Sequence, residues 1–462
     1  MFSAFFNSFK IPELRAKIFF TLGIIALCRV CSNIPCPGID SVALSAMFDD
    51  LNKQQGAGGI VNMIDMFSGG ALRAFAIGAL GIMPYISASI IMQLVTPVFP
   101  QLEKLKREGE AGQQKIIQWT RYMTLVICLV QGFFLAKGME NPGAMLGGAA
   151  TNNIVNNPGL SFQVMTMIIL TCGTMILMWF GEKITDHGVG NGASLIITVN
   201  IIDRLPAAVQ GMHRLLRQEG TGETSFTMIH VIILLGIFVL ITAATVALTQ
   251  GVRKVPIQYA RTATGGGGGQ GAAAQGSFLP LRVNFANVMP IIFASAILMF
   301  PPLVINAVGW NWLRYIAPLF SYGTTSYMAI YAILIIVFAF FWVANQFNPI
   351  QMADDLKRHG GYIPGIRPGK PTSDFLDRAM TRITTAGALF LCVLSLLPMI
   401  AAQALSLSPV IADFFGGATL LIICGVIIDT LRQIESHLMM HHYDGFLQKG
   451  RLRRGRGSRV FG

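Results

Sequence analysis

The chain has 462 residues, of which 53% are hydrophobic and only 12% charged, with a formal net charge of +12. A soluble domain carries about 25% charged residues, so lipid is the solvent for much of this chain and an ordinary soluble globular domain is excluded. Mean hydropathy is correspondingly positive, at +0.59.

The start, MFSAFFNSFKIPELRAK, reads as a short amphipathic helix ahead of a full-length span, not as a removable signal peptide. Apolar stretches of ~20 residues can cross a ~30 Å hydrocarbon core as helices. Ten such stretches follow in order, at roughly 18–36, 76–95, 120–137, 161–180, 191–210, 227–248, 285–307, 326–345, 385–403 and 414–432. An even count puts both termini on one side. The segments 1–17, 96–121, 181–190, 249–284, 346–384 and 429–462 hold 26 of the 34 Lys and Arg residues but only 13 of the 22 acids. Such a bias marks the cytoplasmic side, so both termini are expected there. The seven cysteines lie mostly inside apolar stretches and read as small packing residues. Cys28 and Cys31 are spaced as CxxC, but no second ligand pair accompanies them. No disulfide framework, metal site or cofactor is expected.

The second span carries GIMPYISASIIMQLV (81–95) and the seventh carries NVMPIIFASAILMFP (287–301). Met83, Pro84, Ile86, Ala88, Ser89 and Ile91 face Met289, Pro290, Ile292, Ala294, Ser295 and Ile297. Five spans separate the two copies, so they run in opposite directions, the signature of inverted halves. The expected division is 1–210 for spans one to five, 211–432 for spans six to ten, and a basic cytoplasmic tail at 433–462. Pro84 and Pro290 each remove an internal hydrogen bond and are expected to kink their helices. Gly78, Gly81 and Ser87 loosen the second span further. Irregular backbone at membrane depth is tolerated only beside protein or water, so this pair is expected to line a path or to move.

Two cargo classes compete. A coupled carrier usually retains an ionisable group deep in a span, at a cost of at least ~2.5–3.5 kcal/mol. Span interiors here offer Ser, Thr, Asn and Gln, while Arg29, Asp203 and Asp429 sit near span ends. The cytoplasmic segments 249–284 and 346–384 are long and basic, which suits a large cytosolic partner with a negative surface. A channel for a larger cargo is therefore the main reading. A secondary transporter of a small solute, built on inverted repeats, is the alternative.

Five motifs carry a resemblance: MFSGGALRAFAIGALGIMPYISASIIMQL (66–94), EKLKREGEAGQQKIIQWTRY (103–122), GEKITDHGVGNGASLIIT (181–198), LPLRVNFANVMPIIFASAILMFP (279–301) and GGYIPGIRPGKPT (360–372). Together they resemble the SecY/Sec61-alpha family of protein-conducting channels, in its bacterial branch, over nearly the whole chain. The resemblance implies an all-α polytopic membrane protein, with ten transmembrane helices in two inverted five-helix halves arranged as a clamshell around a central pore. Secretory polypeptides would cross unfolded through the middle. Signal and anchor helices would leave sideways, between spans two and three on one side and seven and eight on the other.

Carried over residue by residue, the resemblance implies a pore ring of Ile82, Ile86, Ala193, Ile197, Ile292 and Ile422. Ala193 stands where the family usually has a bulky residue, which implies a wider ring at that point. Residues 60–72, with Ile64, Met66, Phe67, Gly69 and Gly70, resemble a plug that seals the outer funnel. The lateral gate would include Pro84, Ser87, Gln93, Pro290 and Ser295. A motor or ribosome would dock on Arg253, Lys254, Arg261, Lys357, Arg358, Arg367 and Lys370. Implied partners are SecE-like and SecG-like small membrane subunits, the SecA motor ATPase, the ribosome, signal peptides and nascent chains, SecD/SecF, a YidC-like insertase and anionic lipids. The implied location is the bacterial inner membrane. The glycine run at 265–269 departs from the family's usual loop.

Other signals are weaker. GVGNGA (188–193) fits GxGxxA, but a dinucleotide site needs a preceding strand and a membrane span stands there instead. His437, His441 and His442 lack a Cys or well-placed carboxylate to complete a metal site. The tail KGRLRRGRGSRVFG is expected to be disordered and could touch anionic lipid or ribosomal RNA. No Walker motif is present, so the chain alone is not expected to be an enzyme.

Overall fold

The computed structural model describes residues 11–40, 43–44, 47–48, 65, 67–140, 154–217, 228–259, 277–308, 317–320, 324–404 and 417–455. The amino-terminal amphipathic segment before Ile11, the plug residues Ile64 and Met66, Arg261 and the glycine run 265–269 lie outside them.

Each expected span falls on a helix. In chain order the helices are α1 (Pro12–Asn33), α2 (Met83–Val95), α3 (Pro100–Arg107), α4 (Glu110–Glu140), α5 (Leu160–His187), α6 (Gly192–Ile202), α7 (Leu205–Arg217) and α8 (Met228–Gln250). After the strands β1 (Val252–Tyr259) and β2 (Ser277–Arg282) come α9 (Met289–Val308), α10 (Thr325–Gln346), α11 (Pro349–Arg358), β3 (Gly361–Tyr362), α12 (Lys370–Ala404) and α13 (Gly417–Gly455). Among the described residues six helices are long and apolar enough to cross a membrane: α4, α5, α6 with the start of α7, α8, α10 with α11, and α12. A seventh candidate is α2 followed by α3, bent by 104°. The first, seventh and tenth expected spans are α1, α9 and α13.

Several hydroxyls inside these helices are satisfied locally, by the helix backbone. Thr21, Ser87, Thr124, Thr198 and Thr245 each donate to the carbonyl four residues earlier.

The internal repeat is visible in how the helices pack. In the first half α2 packs on α4, α4 on α5, α5 on α6, and α1 on both α5 and α6. In the second half α9 packs on α10, α10 on α12, α12 on α13, and α8 on both α12 and α13. These five neighbour relations of the first five spans thus recur in the second five. The halves meet where α2 touches α9 and where α6 touches α13.

Several local expectations change. The second span is helical only from Met83; residues 69–82 are turns, with Phe75 at φ 42° and Gly81 at φ 60°. Pro84 therefore sits in the first turn of α2 and Pro290 is the second residue of α9. The first turn needs no N–H from proline, so neither residue kinks its helix. The fifth span breaks at Asp203–Arg204. Within the 249–284 segment β1 and β2 pair as an antiparallel hairpin from Val252↔Arg282 to Ile257↔Ser277. The tail is helical through Gly455, not disordered from Lys449 onward, because α13 continues the last span without a break.

Candidate functional site

α2 and α9 touch, and both line one cavity. Ile82, Ile86, Ile197, Ile292 and Ile422 are all buried in one apolar cluster, and Ala193 packs against it, partly exposed. Four helices supply them: α2 and its N-cap, α6, α9 and α13. The repeat places its two members alike: Ile86 N donates to Ile82 O at 3.2 Å and Ile292 N donates to Val288 O at 3.2 Å. Backbone approach brings α5 and α6 in. A Cβ on Gly192 would lie 1.9 Å from the Gly181 carbonyl oxygen, and one on Gly181 would lie 3.4 Å from Ile82 Cδ1. Only glycine at 192 allows that crossing.

Beside the waist lies a cavity of about 720 Å³. Ile86, Ala193, Ile197, Ile292, Phe293 and Trp342 form its apolar part. Gln93, Gln114, Gln118, Gln346 and Asn191 line it as well, with the charges Arg121, Glu182 and Asp186 at the helix ends nearest the 96–121 and 181–190 segments. Arg121 holds Glu182 through a two-pronged pair, at 2.9 and 2.8 Å. Amide side chains both donate and accept, so this wall can bond to any polypeptide backbone irrespective of sequence.

The expected lateral gate lies where α2 touches α9. Pro84, Ser87, Pro290 and Ser295 are buried and Gln93 is half-buried. Ser87 Oγ donates to Met83 O and Ser295 Oγ donates to Ile292 O, so each hydroxyl is spent within its own helix. Gln93 Nε2 donates to Ser89 Oγ within α2 at 3.2 Å. On the far side α9 is bound to α10 by edge-on aromatic contacts of Phe293 with Phe338 and Trp342. Next to it, Lys106 Nζ of α3 donates to Asn345 Oδ1 of α10 at 2.9 Å.

The described part of the expected plug is held by a polar network. Asp65 is 1% exposed and its carboxylate pairs with Arg204, and with Arg73 Nε at 3.0 Å. Asn200 Nδ2 donates to Phe67 O at 2.7 Å, while Asn200 Oδ1 accepts from Arg29 Nη2 at 2.9 Å. Arg29 also pairs with Asp203 at 3.2 Å and donates to Gly69 O at 3.3 Å. Gly69 has φ +67°, and a Cβ there would stand 2.6 Å from Arg29 Nη1. Phe67, 1% exposed, belongs to the same apolar cluster as the waist. Removing one partner of a buried ion pair typically costs about 3–5 kcal/mol.

The basic loops form one platform. The sheet order is β2-β1-β3, so the 249–284 and 346–384 segments are hydrogen-bonded to each other through β1 and β3. Val255 and Ile257 face inward, while Arg253 and Lys254 are exposed. Lys254 Nζ lies 4.8 Å from the centroid of the Phe278 ring. Lys357, Arg358, Arg367 and Lys370 are exposed too. The turn bearing Arg367 is pinned by Thr372 Oγ1, which donates to Arg367 O at 2.9 Å.

Comparison with known proteins agrees with this geometry. The family model named SecY matches residues 76–431. The protein translocase subunit SecY of Chlamydia trachomatis is 40% identical over 451 residues, covering 96% of this chain and 97% of the relative. The chain belongs to the SecY family. Two solved structures share the SecY fold: a protein-conducting channel (TM-score 0.60, 17% identity, 91% of each chain) and a SecY whose plug domain stabilises its closed state (TM-score 0.59, 18% identity, 91% of each chain). The fold is thus the ten-helix clamshell of SecY channels.

Of the six residues carried over for the ring, Ile86, Ala193, Ile197 and Ile292 line the one cavity, while Ile82 and Ile422 share only the large apolar cluster. Asp65, Asn200 and Arg204 were not singled out by the sequence. The available signal was the ionisable residues gathered at outer span ends, Arg29, Asp203 and Arg204, opposite an acid in the plug motif.

Proposed function

We propose that this chain is the channel-forming subunit of a protein translocase. It conducts unfolded secretory polypeptides across the inner membrane of a bacterium and releases apolar helices sideways between α2 and α9. The observation that supports this best is the convergence of α2, α6, α9 and α13 on one apolar waist, beside a cavity walled with amide side chains. An apolar constriction holds water poorly when empty and so resists ions. Flexible uncharged side chains can surround a passing chain without lasting bonds.

In this reading Ile82, Ile86, Ala193, Ile197, Ile292 and Ile422 form the ring, and the segment around Phe67–Gly70 plugs it from outside. The α2–α9 contact is the gate, with Pro84, Ser87, Gln93, Pro290 and Ser295 on its two sides. Both termini and the β2-β1-β3 platform face the cytoplasm, where the motor ATPase or the ribosome docks. Small SecE-like and SecG-like subunits complete the complex, and the energy comes from a partner or the membrane potential.

Reconstitution separates this from the carrier alternative. Vesicles holding the chain with its small subunits and a SecA-type motor should protect a secretory precursor from added protease in an ATP-dependent way. Absence of protection, together with solute-driven proton uptake by the pure chain, would establish the carrier instead.

A further inference from the structure

We infer that Asp65, Asn200 and Arg204 are positioning residues that clamp the plug to the amino-terminal half, and that this clamp sets how tightly the channel is sealed between cargoes. The inference rests on the plug reading above. It does not follow from a plug merely being present, because an apolar plug could be held by packing against both halves.

Three features point to a dedicated clamp. First, Asp65 is buried, with its carboxylate shared between Arg204 and Arg73, and its Oδ1 also accepts from Arg73 N at 3.2 Å. Its main-chain oxygen accepts from Gly70 N at 2.9 Å, from Ser68 Oγ at 3.0 Å and from Arg204 Nη2 at 3.4 Å. A buried carboxylate is costly unless paired and hydrogen-bonded, and here it is both. Second, Asn200 is 5% exposed and acts as a two-way bridge, donating to the plug at Phe67 O and accepting from Arg29. Third, the plug backbone approaches this network so closely at Gly69 that a Cβ would lie 2.8 Å from Asn200 Oδ1. The plug therefore lies directly on the polar groups.

All of these partners share one side of the clamshell. Among the described residues, the hydrogen-bond and ion-pair partners of Asp65, Phe67 and Gly69 beyond the segment itself are Arg29 of α1, Arg73 just downstream, and Asn200 and Arg204 of the fifth span. None belongs to α9, α10 or α13. Parting α2 from α9 would break none of these bonds, so a helix entering the gate need not unseat the plug. A chain passing through the waist has to break them.

The test uses the whole complex in vesicles, with ion leak measured without cargo. Asp65→Asn and Arg204→Gln are each expected to raise the leak at least about tenfold, since the first leaves Arg204 and Arg73 without their carboxylate and the second removes the clamp's link from Asp65 to the fifth span. Arg204→Lys keeps the charge and is expected to leak less than Arg204→Gln. Deleting residues 62–70 should leak as well, and adding Arg204→Gln to that deletion should raise the leak no further. Wild-type yield of the purified complex reports that each variant is assembled. Unchanged leak in Asp65→Asn and Arg204→Gln, with a leaking deletion, overturns the clamp and leaves the plug reading standing. A double variant leaking well beyond the deletion overturns it too, because Arg204 would then act elsewhere. A deletion that stays sealed overturns the plug reading itself, and the clamp with it.

Discussion

Arg367→Glu is expected to lower export by at least about tenfold, while the variant chain still inserts and assembles in the membrane. Like-charge contact across an interface typically costs several kcal/mol. Arg367 sits in PGIRPG, where Gly365 (φ +82°) and Gly369 (φ +100°) shape the turns and Thr372 fixes the Arg367 carbonyl. The guanidinium is therefore presented on a stiff mount and not on a loose loop. Lys357 and Arg358 end α11 on the same segment, and pairing of β1 with β3 brings Arg253 and Lys254 onto the same platform. Reversing one charge places an acid inside a basic surface that a partner with acidic or phosphate groups must approach. Partner binding to the unaltered platform should weaken steeply with salt, and the variant's residual binding less so. Measured as protected precursor over time, export at the normal rate by the variant would remove the docking role.

Deleting residues 62–70 is expected to make the channel leak ions yet still export. The deletion removes Asp65, the anchor for Arg204 and Arg73, and Phe67, which is buried in the apolar cluster of the waist. The ring residues themselves stay in place on α2, α6, α9 and α13. An unplugged ring still grips a polypeptide, but it fits less closely around nothing. Leak conductance in vesicles and export by the same preparation test both halves of the statement. A tight, non-leaking deletion would refute the plug role.

The features legible in the sequence were those with a period, a charge bias or a repeat. Each stretch picked out by hydropathy falls on a helix, although the second is helical only from Met83 and the fifth is broken at Asp203–Arg204. The Met-Pro repeat in α2 and α9 announced two related halves, and the packing relations recur accordingly. What Pro84 and Pro290 do was misjudged: proline in an apolar run reads as a kink, but it suits a first turn equally well, and only the turns before Met83 decide. The clamp was illegible for another reason. Phe67 and Asn200 are 133 residues apart, and nothing local to Asn200 distinguishes it from an ordinary polar residue near a span end. Likewise, pairing of Gln258 with Tyr362 joins two loops that the sequence presents separately. Long-range partners of this kind follow from topology, which a linear pattern does not contain. Chain continuity explains α13, where the tail stays helical past the membrane although its composition reads as a solvated strand of charge.

The central claim is that a polypeptide passes through the ring. Its most direct test places a photo-cross-linking residue, one at a time, at Ile86, Ile292 and Ile422, and arrests a secretory precursor halfway. Covalent adducts between that precursor and all three positions are predicted, with a control position on the lipid-facing side of α8, such as Ile232, giving none. An arrested chain that is trapped against lipid or other proteins, but never against Ile86, Ile292 or Ile422, would contradict the account.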